Sequence, residues 1–272
     1  CLLLNHHNPH NNVAVGYGAL VANTTGTLNV AVGSLALDAN QTGSASTAVG
    51  HRAGSAFTAD GLTAFGKDAL EICTTGVNTA VGANALAAVT TGGSNTAMGS
   101  SALTVNTAGN NTAVGHYALI ANTTGDSNVA VGALAADANT TGSWNVAIGH
   151  SSLTANTTGV QNTAVGQQAL YANTTAGGNT ALGYNASQYT TTGANNTSVG
   201  HRALFTNSTG ASNVAVGKEC LTANTTADNN TAVGYSALAA NTTGTSNTAI
   251  GSIALDAITT TSNNTAVGHE AL

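Results

Sequence analysis

Charge, aromatic rings, proline and cysteine are all scarce in this chain of 272 residues. Only 5% of the residues are charged and 4% aromatic, so neither ring packing nor ion-pair networks can hold a globule together. A net charge of −6 and a single proline also separate the sequence from the charged, Pro-rich composition of disordered segments. Four basic residues against ten acidic ones cannot neutralise a phosphate backbone, which argues against nucleic acid as a partner. No apolar run reaches the ~18 residues of a membrane-spanning helix, and the apolar stretch Cys1–Leu4 is too short for a signal peptide.

Chemistry is equally sparse. Cys1, Cys73 and Cys220 have neither C-x-x-C nor zinc-site spacing, so no disulfide framework or structural metal is indicated. No G-x-x-x-x-G-K-[ST] or G-x-S-x-G occurs. The carboxylates nearest to a glycosidase-like pair are Asp68 and Glu71, read as solvated at opposite ends of a Leu-bearing strand. The chain is therefore expected to be no enzyme and to carry no cofactor. Residues 1–11 read as an irregular N-terminal segment or partial coil; the cluster His6, His7 and His10 has no carboxylate or thiolate at a ligand spacing, so no metal site is assigned.

What the sequence does have is a repeat. A pentad Asn-(Thr/Val)-Ala-(Val or similar)-Gly closes at Gly16, Gly33, Gly50, Gly66, Gly82, Gly99, Gly115, Gly132, Gly149, Gly166, Gly183, Gly200, Gly217, Gly234, Gly251 and Gly268, at intervals of 17 residues or, three times, 16. The consensus is N-(T/V)-A-V-G-x-x-A-L-x-A-N-T-T-G-x-x. The unit is too short for a helix pair and lacks a 3.6-residue apolar period. Its β-branched triplets, glycines and N-T-T-G turn signals predict short strands joined by corners. The expected fold is an all-β, single-chain parallel β-solenoid (β-roll) of about sixteen 17-residue coils. Residues 12–272 form one continuous array, roughly 75 Å long at about 4.8 Å per coil.

Stacking turns each repeat position into a column. The residue before the glycine is apolar in every coil, from Val15 to Val267, and is expected to point inward with the Thr or Val two residues earlier. The Ala between them, replaced only by Ser198, is then expected on the outer face. Leu stands four residues after the glycine in thirteen of sixteen coils and completes a Val/Leu core. Asn opens fourteen pentads and recurs seven residues after ten of the glycines, which suits amide ladders at the corners. Cys73 replaces one of these Asn and Cys220 a core Ala, as small buried hydrophobes do.

Two features stand out as candidate sites. The two positions after each glycine vary most and gather all four basic residues, five of the histidines and four of the six tyrosines. The candidate binding edge is His51, Arg52, Lys67, His116, Tyr117, His150, Tyr184, His201, Arg202, Lys218, Tyr235 and His269. The dipeptide His51-Arg52 returns as His201-Arg202, nine coils later. The second feature is the pair of adjacent threonine columns in N-T-T-G. Neighbouring residues face opposite ways, so one column at most presents exposed hydroxyls. The candidate ice or ordered-water face is Thr25, Thr42, Thr75, Thr91, Thr124, Thr141, Thr158, Thr175, Thr192, Thr209, Thr226 and Thr243, with a turn-and-ladder role as the alternative.

The pentads Asn12-Val13-Ala14-Val15-Gly16 and Asn145-Val146-Ala147-Ile148-Gly149 resemble the N-S-V-A-I-G head repeats of YadA-like trimeric autotransporter adhesins, with the Asn one residue nearer the glycine. The wider unit is similar to N-T-A-x-G-x-x-A-L-x-x-N-T-T-G arrays of tail-fibre-like proteins. The resemblance covers the whole chain. It implies a left-handed roll assembled as a parallel trimer through the small Ala column.

Together these readings give a structural or adhesive fibrous protein at an extracellular, cell-surface or virion surface. It would associate with itself as a trimer or end-to-end filament and meet a glycan or surface receptor along its edge. The alternative is an ice-binding protein. Neither end carries a polar cap, so the sequence is expected to be a piece of a longer array or to stack on further copies.

Overall fold

The computed structural model describes residues 11–272, so the predicted segment 1–11, apart from Asn11, and its histidine cluster lie outside the described residues. The chain divides into two units, Cys1–Ala133 and Leu134–Leu272. In the first, β1 (Val13–Val15), β2 (Val30–Val32), β3 (Thr47–Val49), β4 (Thr63–Phe65), β5 (Thr79–Val81), β6 (Thr96–Met98), β7 (Thr112–Val114) and β8 (Val129–Val131) pair in chain order, each parallel to the one before. In the second, β9 (Val146–Ile148), β10 (Thr163–Val165), β11 (Thr180–Leu182), β12 (Thr197–Val199), β13 (Val214–Val216), β14 (Thr231–Val233), β15 (Thr248–Ile250) and β16 (Thr265–Val267) do the same. Each unit is thus an all-β parallel β-solenoid with one strand per coil, as the repeat predicts. Short coils leave the register intact: Thr47 still pairs with Thr63 and Thr96 with Thr112, because the lost residue comes out of the N-T-T-G turn.

The strands stand the opposite way round from the expected one. Ala31, Ala48, Ala97, Ala164 and Ala215 are fully buried, while the residues before the glycine face outward, with Val81 36%, Met98 45% and Leu182 48% exposed. The Ala column is therefore the inner one and the Val column the outer one. The reason is room. Leu37, Leu70, Leu103, Leu170 and Leu221, four residues after their glycines, are fully buried. At Gly54, which replaces one of them, an added Cβ would already stand 3.8 Å from Ala48 Cβ. With Leu filling the space beneath the sheet, only a methyl group fits on the strand.

Burying those leucines requires an unusual backbone. Leu37, Leu70 and Leu221 have φ of 49°, 52° and 50°; the second residue after each glycine is also left-handed, as is the residue before the pentad Asn, Val77 excepted. A non-glycine residue there costs roughly 1–2 kcal/mol, which burial of a Leu side chain, about 2–3 kcal/mol, offsets. The glycines closing the pentads are under a stricter demand. Gly217 has φ +136°, and a Cβ on it would lie 2.4 Å from the Gly234 carbonyl oxygen of the next coil.

Both Asn columns are buried within the coils and form ladders. In the first, Asn213 accepts from the Asn230 backbone N–H (3.0 Å) and donates to the Ala227 carbonyl (2.8 Å), a pattern repeated coil by coil. In the second, the amides join one another, Asn173 to Asn156 (2.9 Å) and Asn224 to Asn207 (2.9 Å), and each also closes its own turn, as from Asn224 to Ala227 O (3.0 Å). The exceptions are compensated. Phe57 and Leu62 stand where Asn is usual and are buried, and Gly54 in the same coil lacks the usual Leu. A Cβ there would meet Leu62 Cδ2 at 2.4 Å, so Leu62 occupies the vacated space. Cys73 and Cys220 are buried, as their columns predict, and burial raises both thiol pKa values, that of Cys220 to about 12.

Candidate binding edge and threonine column

The edge is built by backbone bonds between coils. Within each unit the second residue after the glycine donates its N–H to the first residue of the preceding coil, as from Arg52 to Ser34 O (2.9 Å), Arg202 to Tyr184 O (3.0 Å) and Glu219 to His201 O (2.9 Å). The first residues therefore stand in line within each unit. His51, Lys67, His116, Tyr117, His150, Tyr184, His201, Lys218, Tyr235 and His269 are exposed; Arg52 and Arg202 are half-buried.

In the first unit the basic groups are already paired. Arg52 Nε lies 2.9 Å from Asp68 Oδ1 and its Nη1 2.6 Å from Glu71 Oε1, Lys67 Nζ lies 3.3 Å from Asp68 Oδ2, and His51 Nδ1 is 3.6 Å from Asp68 Oδ1. Asp68 and Glu71, expected to be solvated, are instead bridged by Arg52 from the neighbouring coil, and Asp68 is only 4% exposed. Burial pushes the Asp68 carboxyl upward, but the hydrogen bonds and charges of Arg52 and Lys67 hold it below its ordinary pKa. The same bond to Asp68 raises the Arg52 guanidinium. Farther along, His116 stacks on Tyr117 at 3.7 Å.

The second unit arranges the same residue types differently. Tyr184 stacks with His201 (5.5 Å), Arg202 lies over the Phe205 ring (4.1 Å), Phe205 meets Tyr189 edge-on (5.0 Å), and Lys218 approaches the Tyr235 ring (5.6 Å). Lys218 Nζ is 3.8 Å from Glu219, and His269 lies near Ser252 O and Glu270. Tyr189 and Phe205 were missed in the sequence. Their signal was an aromatic residue in columns otherwise held mostly by Ala, Thr or Asp.

The two threonine columns divide as the alternation suggested, although they lie in a turn. Hydroxyls of the first column donate along the stack to backbone carbonyls, as from Thr24 to Gln41 (3.0 Å), Thr157 to Thr174 (3.1 Å) and Thr225 to Thr242 (3.1 Å). All twelve candidate residues of the second column, Thr25 through Thr243, are exposed, and the scaffold does not use their hydroxyls.

Among the described residues no group of three or more His, Cys, Asp or Glu is placed to hold a metal ion, and no helix is long and apolar enough to cross a membrane. Comparison with protein-family models, with curated proteins and with solved structures gives no match.

Proposed function

We propose that this chain is a non-enzymatic structural repeat protein, an extracellular or surface-located fibrous scaffold that associates with further copies of itself and meets a glycan or surface receptor along the edge after each glycine. The observation that carries this reading is the outward row before the glycines, where Phe65, Val81, Met98, Ile148, Leu182 and Ile250 remain exposed. A repeated row of large apolar side chains on a sheet face is unfavourable in water and favourable against a like surface. This row takes the part first given to the Ala column. The resemblance to adhesin heads and tail-fibre-like arrays supports the surface location. Sedimentation equilibrium tests the self-association: the intact chain is expected to associate, and Met98→Lys with Leu182→Lys, both at exposed positions, to shift it to monomers with an unchanged circular dichroism spectrum. A monomeric intact chain at all concentrations would sink the reading.

A second reading, ice or ordered-water binding, is favoured by the twelve exposed threonines whose hydroxyls the scaffold leaves unused. Thermal hysteresis that disappears in Thr175→Tyr and Thr192→Tyr supports it, and its absence from the unmodified chain excludes it.

A further inference from the structure

The two His-Arg dipeptides have unlike surroundings, and the difference points to a ligand. Arg52 spends its guanidinium on Asp68 and Glu71, so that patch is neutralised by its own carboxylates and held as part of the scaffold. Arg202 has no carboxylate within ion-pair distance among the described residues. It lies on Phe205, and its Nε makes no hydrogen bond. Around it Tyr184, His201, Lys218 and Tyr235 stand at one position of four consecutive coils, all exposed. They span three coil intervals, roughly 14 Å at about 4.8 Å each.

We propose that this strip of the second unit is a binding site for an acidic oligosaccharide, a proposal that rests on the reading of the edge as the surface that meets a partner. The Tyr184 and Tyr235 rings offer flat apolar faces at either end, which suit the C–H face of a pyranose while leaving its hydroxyls in water. Arg202 presents a planar fork matched to a carboxylate or sulfate, already fixed in orientation by the ring beneath it. Lys218, shared with Glu219 at 3.8 Å, adds a second, weaker cation. A single-stranded nucleic acid would also stack on tyrosines, but it brings a phosphate for every base. Two cations beside one carboxylate, in a chain of net charge −6, match a sparsely charged sugar polymer better.

The test is titration calorimetry of the intact chain with three sparsely charged hexasaccharides: one alternating glucuronic acid with N-acetylglucosamine, one alternating glucuronic acid with N-acetylgalactosamine, and one of neutral sugars bearing a single sulfate. Cellohexaose serves as the neutral control and a ten-residue oligo-dT as the nucleic acid. At least one acidic sugar is expected to bind, weakening as salt is added, with about a tenfold loss in Arg202→Gln and a comparable loss in Tyr235→Ala. Val77→Thr, at an exposed position of the first unit outside the edge, is expected to leave binding unchanged. The proposal is overturned if none of the three acidic sugars binds, if Arg202→Gln binds as the unmodified chain does, or if cellohexaose or oligo-dT binds more tightly. Sedimentation of the same samples keeps the two ideas apart: sugar binding by a monomeric chain sinks the scaffold reading alone, and an associating chain that binds no sugar sinks this one alone.

Discussion

Asn213→Ala is expected to cost about 3–5 kcal/mol, because the ladder gives every polar atom of this buried side chain a partner. Its Nδ2 donates to Ala227 O (2.8 Å) and Asn196 Oδ1 (3.2 Å), and its Oδ1 accepts from Asn230 N (3.0 Å) and Asn230 Nδ2 (3.3 Å). Three of those partners keep another bond after truncation: Ala227 O from Asn224, Asn196 Oδ1 from the Asn213 backbone N–H, and Asn230 Nδ2 to Gly244 O. The Asn230 backbone N–H keeps none. One orphaned buried donor costs about 1–3 kcal/mol, and each net bond lost about 0.5–1.5 kcal/mol. Asn213→Asp preserves the shape but turns a donor into an acceptor facing two oxygens, so it should be worse at pH 7 and partly recover in acid, when the carboxyl regains a proton. Urea unfolding followed by circular dichroism gives the midpoint, with an unchanged slope showing that stability and not compactness has altered. The exposed Thr226→Ser is the reference and should fall within about 0.5 kcal/mol of the parent. If Asn213→Ala falls there too, the ladders contribute nothing net and the account of the core is wrong.

Asn213→Leu alone should overpack against Leu204, whereas adding Leu204→Gly should restore part of the loss, reproducing the natural Leu62 and Gly54 combination; a double variant no more stable than the single one in urea would show that the two sites are not coupled. Gly217→Ala meets both a left-handed φ and the Gly234 carbonyl, so a loss of at least about 3 kcal/mol is expected by the same assay, and a neutral result would contradict the packing. Because the Asp68 pKa is lowered on folding, its contribution is complete above its ordinary pKa and disappears as the pH falls through the folded value. Asp68→Asn should therefore cost about 1–2 kcal/mol at pH 7, the exposure of Arg52 and Lys67 reducing the effect, and almost nothing well below pH 4; an equal deficit at both pH values would refute the assignment. The Asp137 carboxyl is shifted the other way by burial, and its Oδ1 has no partner. Stability then falls as pH rises from the ordinary carboxyl pKa through the raised one, and Asp137→Asn should raise the melting temperature at pH 7 while leaving it unchanged in acid.

The solenoid was legible because the repeat period, the β-branched triplets and the glycine spacing all point to the same coil. Which face of the strand turns inward was not. Thr-Ala-Val alternates equally well in either sense, and the preference of large apolar residues for the core selected the wrong one. The distinguishing signal lay in size tolerance: the column before the glycine accepts Phe65, Met98 and Leu182, as open surface allows, while the middle column departs from Ala only at Ser198. The edge was legible as a collection of residue types. Its division into a paired patch around Asp68 and an unpaired strip around Arg202 depends on carboxylates and rings from neighbouring columns, whose reach across the stack no single column reveals.

The orientation of the strand is tested most directly by thiol labelling of single cysteines in a Cys1→Ser background, where the buried Cys73 and Cys220 should stay silent until the chain unfolds. In the Met98→Lys, Leu182→Lys background, where the outward row no longer associates, Val216→Cys, half-exposed in that column, is expected to react with a thiol reagent in the folded protein. Ala215→Cys, its inward neighbour, should be protected until denaturant is added. Rapid labelling at 215 with protection at 216 would contradict the core described for this fold and the exposed apolar row on which its proposed self-association rests.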